Sequence, residues 1–463
     1  MPTAPFPRAL AQVRAPMSHL IARPVDGLSG RTHVPGDKSI SHRALILSAL
    51  TVGRSTVEGL LAAEDVLATA AALRALGARI EGPDAHGRWQ IDGVGVGGLT
   101  SPAGALDMGN SGTGARLFLG LLATHAVRAT LIGDASLSRR PMGRVLDPLA
   151  PTGARFEAGE GGRLPVTVVG SADPLPLETR LSVPSAQVKS ALLLAALNTP
   201  GRSRVIEPVP TRDHSERMLA AAGAEISVTA DPATGERVID LIGQPELTPV
   251  DWAVPGDISS AAFPLVAGLL GAPGGAPVTV NGVGVNPLRT GLLDALDAMG
   301  ARIERVDPRS RGGEPIADLV AYPGRLDAIE MDPALAPRLI DECPILFVAA
   351  ACAHGTSRFT GLGELRVKES DRLGAMADAL AANGVGVEVL DDGLVVEGAG
   401  GRPPGGATVA THLDHRIAMS ALVLGGACAA PVVIDDAAAI ATSFPGFVEV
   451  MTGLGAHFDA GRR

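Results

Sequence analysis

Apolar positions along the chain gather into short runs of two kinds, which alternate with a long period. Runs of the first kind follow a polar turn and are rich in Ala, Leu, Val and Ile. They begin near Lys38, Gly112, Ser185, Ile258, Asp341 and His415. Runs of the second kind close on Gly, then Ala or Val, then a strand-forming residue. Their ends are Gly77-Ala78-Arg79-Ile80, Gly153-Ala154-Arg155-Phe156, Gly223-Ala224-Glu225-Ile226, Gly300-Ala301-Arg302-Ile303, Gly384-Val385-Gly386-Val387 and Gly455-Ala456-His457-Phe458. Gly in that place is the expected left-handed stop of a helix. Successive members of each column lie roughly 70 to 84 residues apart, so the chain reads as six copies of one α/β unit. Val34-Pro35-Gly36-Asp37-Lys38-Ser39 is echoed by Val254-Pro255-Gly256-Asp257-Ile258-Ser259, and more loosely by Val183-Pro184-Ser185-Ala186-Gln187.

The same pattern predicts a strand-like segment from Ile21 to Val34 and helices over Glu64–Ala75, Leu117–Leu122, Val188–Leu197 and Ile417–Leu424. The Gly-rich stretch before Leu117 reads as a tight turn. The polar, Pro-containing stretch 243–250 is the expected domain boundary, with three units on either side. This gives an N-terminal segment 1–34, a first domain 35–250 and a second domain 251–463. Residues 1–16 lack an apolar core of signal-peptide length and read as a mobile tail, with the remainder of the segment packing on the second domain.

Length and charge narrow the function. At 463 residues two domains are the natural expectation, and the net charge of −10 argues against a nucleic-acid surface. Each apolar run is interrupted by Gly, Pro or charge before it reaches the length of a membrane span. Cys343, Cys352 and Cys428 lie in apolar runs without ligand spacing, as small core residues of a cytoplasmic protein do.

Against that acidic background, cations cluster at helix starts. Pro35-Gly36-Asp37-Lys38-Ser39-Ile40-Ser41-His42-Arg43 places Lys38, Ser39 and Arg43 on the first turns of a helix, where unpaired N–H groups already favour an anion. Asp341 and Glu342 precede another apolar helix. Arg366-Val367-Lys368-Glu369-Ser370-Asp371-Arg372 opens a third, with Lys368 and Arg372 four apart, and Asp414-His415-Arg416 opens a fourth. Singly, each reads as a cap or a solvated salt-bridge cluster. Together they recur at equivalent places of a repeated unit. If each half packs its units about a pseudo-threefold axis, their helix N-termini can face one cleft, and the ligand would be small, polar and multiply anionic.

Pro-Gly-Asp-Lys-Ser-Ile-Ser-His-Arg, Gly-Asn-Ser-Gly-Thr-Gly, Arg-Arg-Pro-Met-Gly-Arg, Ser-Ala-Gln-Val-Lys-Ser, Arg-Val-Lys-Glu-Ser-Asp-Arg and Asp-His-Arg-Ile-Ala-Met together resemble the 5-enolpyruvylshikimate-3-phosphate (EPSP) synthase family, from about Leu28 to the C-terminus. Their variant forms are similar to the second class, the one associated with tolerance of glyphosate. The resemblance implies an enolpyruvyl transferase fold: two domains, each of three βαβαββ units, closing on a cleft. It implies transfer of the enolpyruvyl group of phosphoenolpyruvate to the 5-hydroxyl of shikimate-3-phosphate, releasing phosphate, within the shikimate pathway. By motif position, shikimate-3-phosphate would be held by Lys38, Ser39, Arg43, Ser185, Ala186, Gln187, Arg212, Asp341 and Lys368. Phosphoenolpyruvate would be held by Lys38, Gly112, Arg140, Gln187, Arg372 and Arg416. Asp341 is the candidate base and Glu369 the candidate acid; Lys38 is a third group able to shuttle a proton, and the division of steps stays open.

The chain departs from some relatives in having Thr442 before Ser443-Phe444-Pro445, where they carry Lys, and Glu364 at a position that is often Asn. Gly112 lacks the methyl group of the Ala form of this turn in the resembled tolerant class, which leaves room for glyphosate in the expected phosphoenolpyruvate pocket. A rival within the fold, the UDP-N-acetylglucosamine enolpyruvyl transferase, usually has a Cys before its Arg-Pro motif, and Asp134 to Arg140 contains none. A non-catalytic anion-binding protein would have no need of both Asp341 and Glu369. Neither metal nor organic cofactor is indicated, no membrane or nucleic-acid partner is expected, and the protein is expected to be a monomer.

Overall fold

The computed structural model describes residues 19–461; the tail expected over residues 1–16 lies outside them. The described chain forms six small sheets and two separate apolar cores. One core runs from Ile40 to Val254, and the other joins Leu20–Leu28 to Ile258–Leu454. Each core contains three of the sheets, so the six repeats seen along the sequence are six βα units in space.

The inner helices begin where the polar turns end: Lys38–Ala49, Gly112–Ala123, Ala186–Leu197, Ile258–Leu269, Cys343–Cys352 and His415–Ala427. Most of their residues are buried on every side, which is why they show little amphipathic striping and read simply as apolar runs. Side chains cap five of them. Asp37 accepts from Ile40 N, Ser111 from Gly114 N, Ser185 from Val188 N, Asp257 from Ser259 N and Asp414 from Arg416 N. The Ser111 cap explains why the helix expected over Leu117–Leu122 starts at Gly112: the Gly-rich stretch taken as a turn is already helical from Gly112 on. The six outer glycines, Gly77, Gly153, Gly223, Gly300, Gly384 and Gly455, all have φ between +82° and +110°.

Within a unit, a parallel edge strand precedes an antiparallel trio. In the third unit, for example, Glu178–Arg180 pairs in parallel with Arg202–Glu207, which lies against Arg237–Ile242 and then Ile226–Ala230. Two units borrow their edge strand from the other side of a crossover. Asp251–Ala253 completes the first sheet beside Val52–Glu58, and Gly30–Thr32 completes the sheet of Val278–Gly284. Leu20–Arg23 is also borrowed, inserted between Val432–Ile434 and His457–Ala460. The segment expected as one strand from Ile21 to Val34 is thus two strands in two sheets. Pro24 and Gly27, with φ +146° at Gly27, interrupt it. At the other end, the boundary expected after Val250 falls one short strand before the crossing, because Trp252 and Val254 still belong to the first core.

The two crossings are the two Val-Pro-Gly-Asp stretches, and they lie side by side. Gly36 bridges Gly256; Asp37 N donates to Pro255 O at 2.8 Å and Asp257 N to Pro35 O at 2.9 Å. The sequence echo therefore marks a pseudo-symmetric hinge. No helix of the described residues is long and apolar enough to cross a membrane.

The hinge leaves unequal room at its glycines. A Cβ on Gly36 would lie 1.9 Å from the carbonyl oxygen of Gly59, whereas one on Gly256 would approach a Val34 methyl group at 3.0 Å and its nearest backbone atom, Gly282 O, at 3.4 Å. Overpacking typically costs about 1–3 kcal/mol; Gly36→Ala is expected at or beyond the top of that range and Gly256→Ala near the bottom. Urea unfolding of the two variants checks this, and equal midpoints would contradict it.

Candidate active site

The cleft between the cores is where the inner helices of both halves begin, and charge crosses it directly. Arg212, from the loop before the His214–Ala221 helix, donates to Asp341 Oδ2 at 2.6 Å. Arg140 Nη1 lies 3.9 Å from Glu369 Oε1, and Arg144 Nη1 lies 3.8 Å from Glu364. In each pair the first half supplies the cation and the second half the carboxylate.

On the second half, Asp341 sits in a short turn leading into the Cys343–Cys352 helix. Its Oδ1 lies 3.4 Å from both Lys368 Nζ and Arg372 Nη1, and Arg416 Nη1 donates to its main-chain carbonyl at 2.7 Å. Burial alone would raise the Asp341 pKa, but Lys368, Arg212, Arg416 and Arg372 outweigh it and hold the carboxyl well below its usual range. Glu369 accepts from Arg372 Nη2 at 2.6 Å. Burial likewise opposes its ionisation, and Arg372 first, with Arg140 and Lys368, holds it ionised. His415, pushed down to about 3 by burial, is neutral at pH 7 and adds little charge there. Arg372 is buried at 1% exposure and also donates to Asp414 through Nε and Nη2, at 2.8 and 3.3 Å. It is therefore both an expected anion contact and the strut that fixes Glu369.

On the first half, Lys38 forms an ion pair with Asp65. Ser39 is half-buried beside it, and its carbonyl accepts from Arg43 Nη1 at 2.8 Å. Arg43 is 4% exposed; it also donates to Ser215 Oγ at 2.8 Å and Ser190 Oγ at 2.6 Å, and burial pushes its pKa down to about 10. Ser185 and Ala186 form the start of the third inner helix, next to Gln187. Gln187 donates to Thr113 Oγ1 at 3.0 Å and accepts from Arg116 at 2.7 Å, which ties that helix to the Gly112 helix. Arg140 donates to Asn110 Oδ1 at 2.8 Å, just outside the Gly112 helix start.

Side-chain contacts thus link Arg140, Arg212, Asp341, Lys368, Glu369, Arg372 and Arg416 into one cluster. Gly112 and Gln187 belong to a second group on the facing half, and Lys38, Ser39 and Arg43 to a third. Asp65 and Arg116 are contacts that sequence reasoning did not single out. Arg116 lies four residues after Gly112 and two past the end of the Gly-rich motif, so its place one helical turn from Gly112 was the available signal. Thr442, at the departure noted near the C-terminus, spends its hydroxyl on Ala439 O at 2.7 Å. No group of three or more His, Cys, Asp or Glu among the described residues could hold a metal ion.

Comparison with known proteins is unambiguous. The family model of EPSP synthase (3-phosphoshikimate 1-carboxyvinyltransferase) matches residues 22–451. A 3-phosphoshikimate 1-carboxyvinyltransferase from Rhodospirillum rubrum is 61% identical over 432 residues, covering 93% of this chain and 95% of the relative. One from Parvibaculum lavamentivorans is 58% identical, covering 95% and 97%. A solved EPSP synthase from Acinetobacter baumannii superposes with a TM-score of 0.85 at 42% identity, covering 95% of this chain and 99% of that one. An enolpyruvyl transferase from Streptomyces tendae, at 20% identity and a TM-score of 0.73, shares the fold. With its two three-sheet cores and a charged cleft between them, the chain belongs to the EPSP synthase family.

Proposed function

We propose that the cleft binds shikimate-3-phosphate and phosphoenolpyruvate side by side and transfers the enolpyruvyl group to the 5-hydroxyl. The observation that carries this reading is the pair of carboxylates, Asp341 and Glu369, held among cations from both halves. Two anionic substrates repel each other, and a fixed cationic cleft offsets that repulsion while setting their attack geometry. Lys38, Ser39, Arg43, Ser185, Ala186, Gln187, Arg212 and Lys368 hold shikimate-3-phosphate. Gly112, Arg140, Arg372 and Arg416 hold phosphoenolpyruvate, with Lys38 and Gln187 between the two. Substrates that touch both halves favour the closed form through their differential affinity, so the two cores act as two domains. The setting is cytoplasmic.

Asp341 removes the proton of the 5-hydroxyl as its oxygen bonds to C2 of phosphoenolpyruvate, and Glu369 delivers a proton to the methylene carbon. The methyl carbon then returns a proton to Glu369 as the C2–O bond to phosphate breaks, which forms the enol ether and releases phosphate. Lys38, beside Asp65, is a further group able to carry a proton. UDP-N-acetylglucosamine is not favoured as acceptor by the family match. A coupled phosphate-release assay decides the matter: release is expected with shikimate-3-phosphate and phosphoenolpyruvate together, and not with UDP-N-acetylglucosamine. No release with the first pair would refute the reading.

Glu369 can act as an acid only after gaining a proton, yet Arg372 and Arg140 hold it ionised in the free protein. Phosphoenolpyruvate brings negative charge among those cations. Cancelling positive potential raises a carboxyl pKa, so substrate binding should be accompanied by proton uptake at neutral pH. Calorimetry in buffers of different ionisation enthalpy should detect that uptake in the wild type and lose it in Glu369→Gln. Both Glu369→Gln and Asp341→Asn should lower kcat by about 10²–10⁴ while weakening shikimate-3-phosphate binding far less. Near-native turnover in both variants would remove these roles.

Glyphosate is longer than phosphoenolpyruvate and would use the same cations. A Cβ on Gly112 would lie 3.0 Å from Arg140 Nη1 and 3.1 Å from Arg116 Nη1, so a methyl group there takes up space beside the anion contacts. The wild type is expected to be inhibited competitively with phosphoenolpyruvate, and Gly112→Ala to raise the inhibition constant much more than the KM for phosphoenolpyruvate. Strong tolerance in the wild type, unchanged by that substitution, would show that pocket length does not decide inhibition.

A further inference from the structure

The hinge contains a buried cation that the reaction described above does not use. Arg289 lies on the loop between the Val278–Gly284 strand and the Gly291–Ala298 helix, and is 3% exposed. Its Nη2 donates to Ser259 Oγ at 2.9 Å and Asp257 Oδ1 at 3.3 Å, and lies 3.9 Å from Asp37 Oδ2. One guanidinium therefore faces both hinge caps, one from each half. The same loop reaches the first half a second time, because Asn286 donates to Asp213 Oδ1 at 2.7 Å, next to Arg212.

The other edge of the guanidinium faces the active site. Arg289 Nη1 is 3.6 Å from Glu342 Oε1, and that oxygen also accepts from Ser259 Oγ. Glu342 follows Asp341 directly and is 1% exposed; Arg416 Nη1 lies 3.7 Å from it while donating to the Asp341 carbonyl. Arg289 Nε and Nη1 have no hydrogen-bond partner among the described residues, and neither does Glu342 Oε2. Buried donors and acceptors are rarely left unspent. Here they lie on neighbouring, oppositely charged groups, so a slight tightening would convert a loose contact into a two-point one.

We infer that Arg289 is a positioning residue for enolpyruvyl transfer: it couples the two hinge caps to Glu342, and through Glu342 sets the Asp341 turn and Arg416. It touches neither substrate. The inference rests on the reading of Asp341 and Arg416 as substrate contacts. Its distinctive consequence is electrostatic. Asp257 faces Asp37 across the hinge, Arg289 from the loop and Arg416 from the C-terminal half; Asp37 in turn faces His214, Arg289 and Arg212. Burial and the like charge of Asp37 already push Asp257 up to about 6 against the pull of Arg289 and Arg416. Removing Arg289 takes away that pull and raises Asp257 further. Asp257 would then be neutral at pH 6 and charged against Asp37 at pH 8.

The test compares wild type, Arg289→Gln, Arg289→Lys and Glu342→Gln in the phosphate-release assay between pH 6 and pH 9, with shikimate-3-phosphate affinity measured separately by calorimetry. For Arg289→Gln the expected kcat loss at pH 8 is about 10²-fold, the scale of a misplacement of roughly 1 Å, with a much smaller loss of shikimate-3-phosphate affinity. That loss should shrink toward pH 6, and Arg289→Lys should recover part of it. Wild-type kcat in Arg289→Gln, or a loss that is uniform across pH and unrelieved by Lys, would overturn the inference. If Arg289→Gln does not fold, Glu342→Gln decides. A lowered kcat with a raised KM for phosphoenolpyruvate supports the coupling, and wild-type kinetics overturns it. An inactive wild type would instead refute the assigned reaction.

Discussion

Asp37 and Asp257 each donate a backbone N–H to the proline carbonyl of the opposite strand, while each side chain caps the helix that follows it. These two residues join the halves of the molecule and start one inner helix in each. The prolines have no N–H to donate, so the paired N–H groups come from Asp37 and Asp257, two residues further on. The borrowed edge strands Gly30–Thr32 and Asp251–Ala253 are a consequence. The chain leaves a sheet of one half immediately before each crossing and enters an inner helix of the other half immediately after it.

From that hinge the electrostatics of the cleft follow. Inner helix N-termini from both halves converge on it, and each contributes a partial positive charge to which Arg and Lys add. Such a concentration of cations would be costly in a folded chain without ligand. Asp341, Glu369 and Asp414 compensate it, and the Arg212–Asp341 and Arg140–Glu369 pairs do so across the gap between halves. Each of these carboxylates is therefore held by a cation, and two of the pairs join one half to the other. The pKa depression of Glu369 has the same origin, since Arg372 and Arg140 outweigh the burial that would otherwise keep it protonated.

The cations where the two halves meet differ in how firmly the protein holds them. Arg372 reaches Asp341, Glu369 and Asp414 from a fully buried position, so its geometry is set by the protein before any ligand arrives. Lys368 and Arg416 are less buried, with side-chain exposures of 27% and 13%.

Local sequence encodes the six-unit fold, because every unit ends its outer helix with a left-handed Gly and five of the six start their inner helix with a polar side-chain cap. Both are local demands of backbone geometry. It also determined the family, since linked motifs of charged residues at helix starts are contiguous in the chain. Other features were decided only by tertiary structure. Nothing local distinguishes Ile21–Val34 as one strand from two strands in two sheets, or marks Asp251–Ala253 as part of the earlier core, because strand partners lie hundreds of residues away. Arg116 joining Gln187, Lys38 finding Asp65, and Arg289 meeting Asp37, Asp257 and Glu342 are likewise contacts between segments remote in sequence. Their energies depend on burial and distance, and those quantities exist only once the two cores have formed and the hinge has brought them face to face.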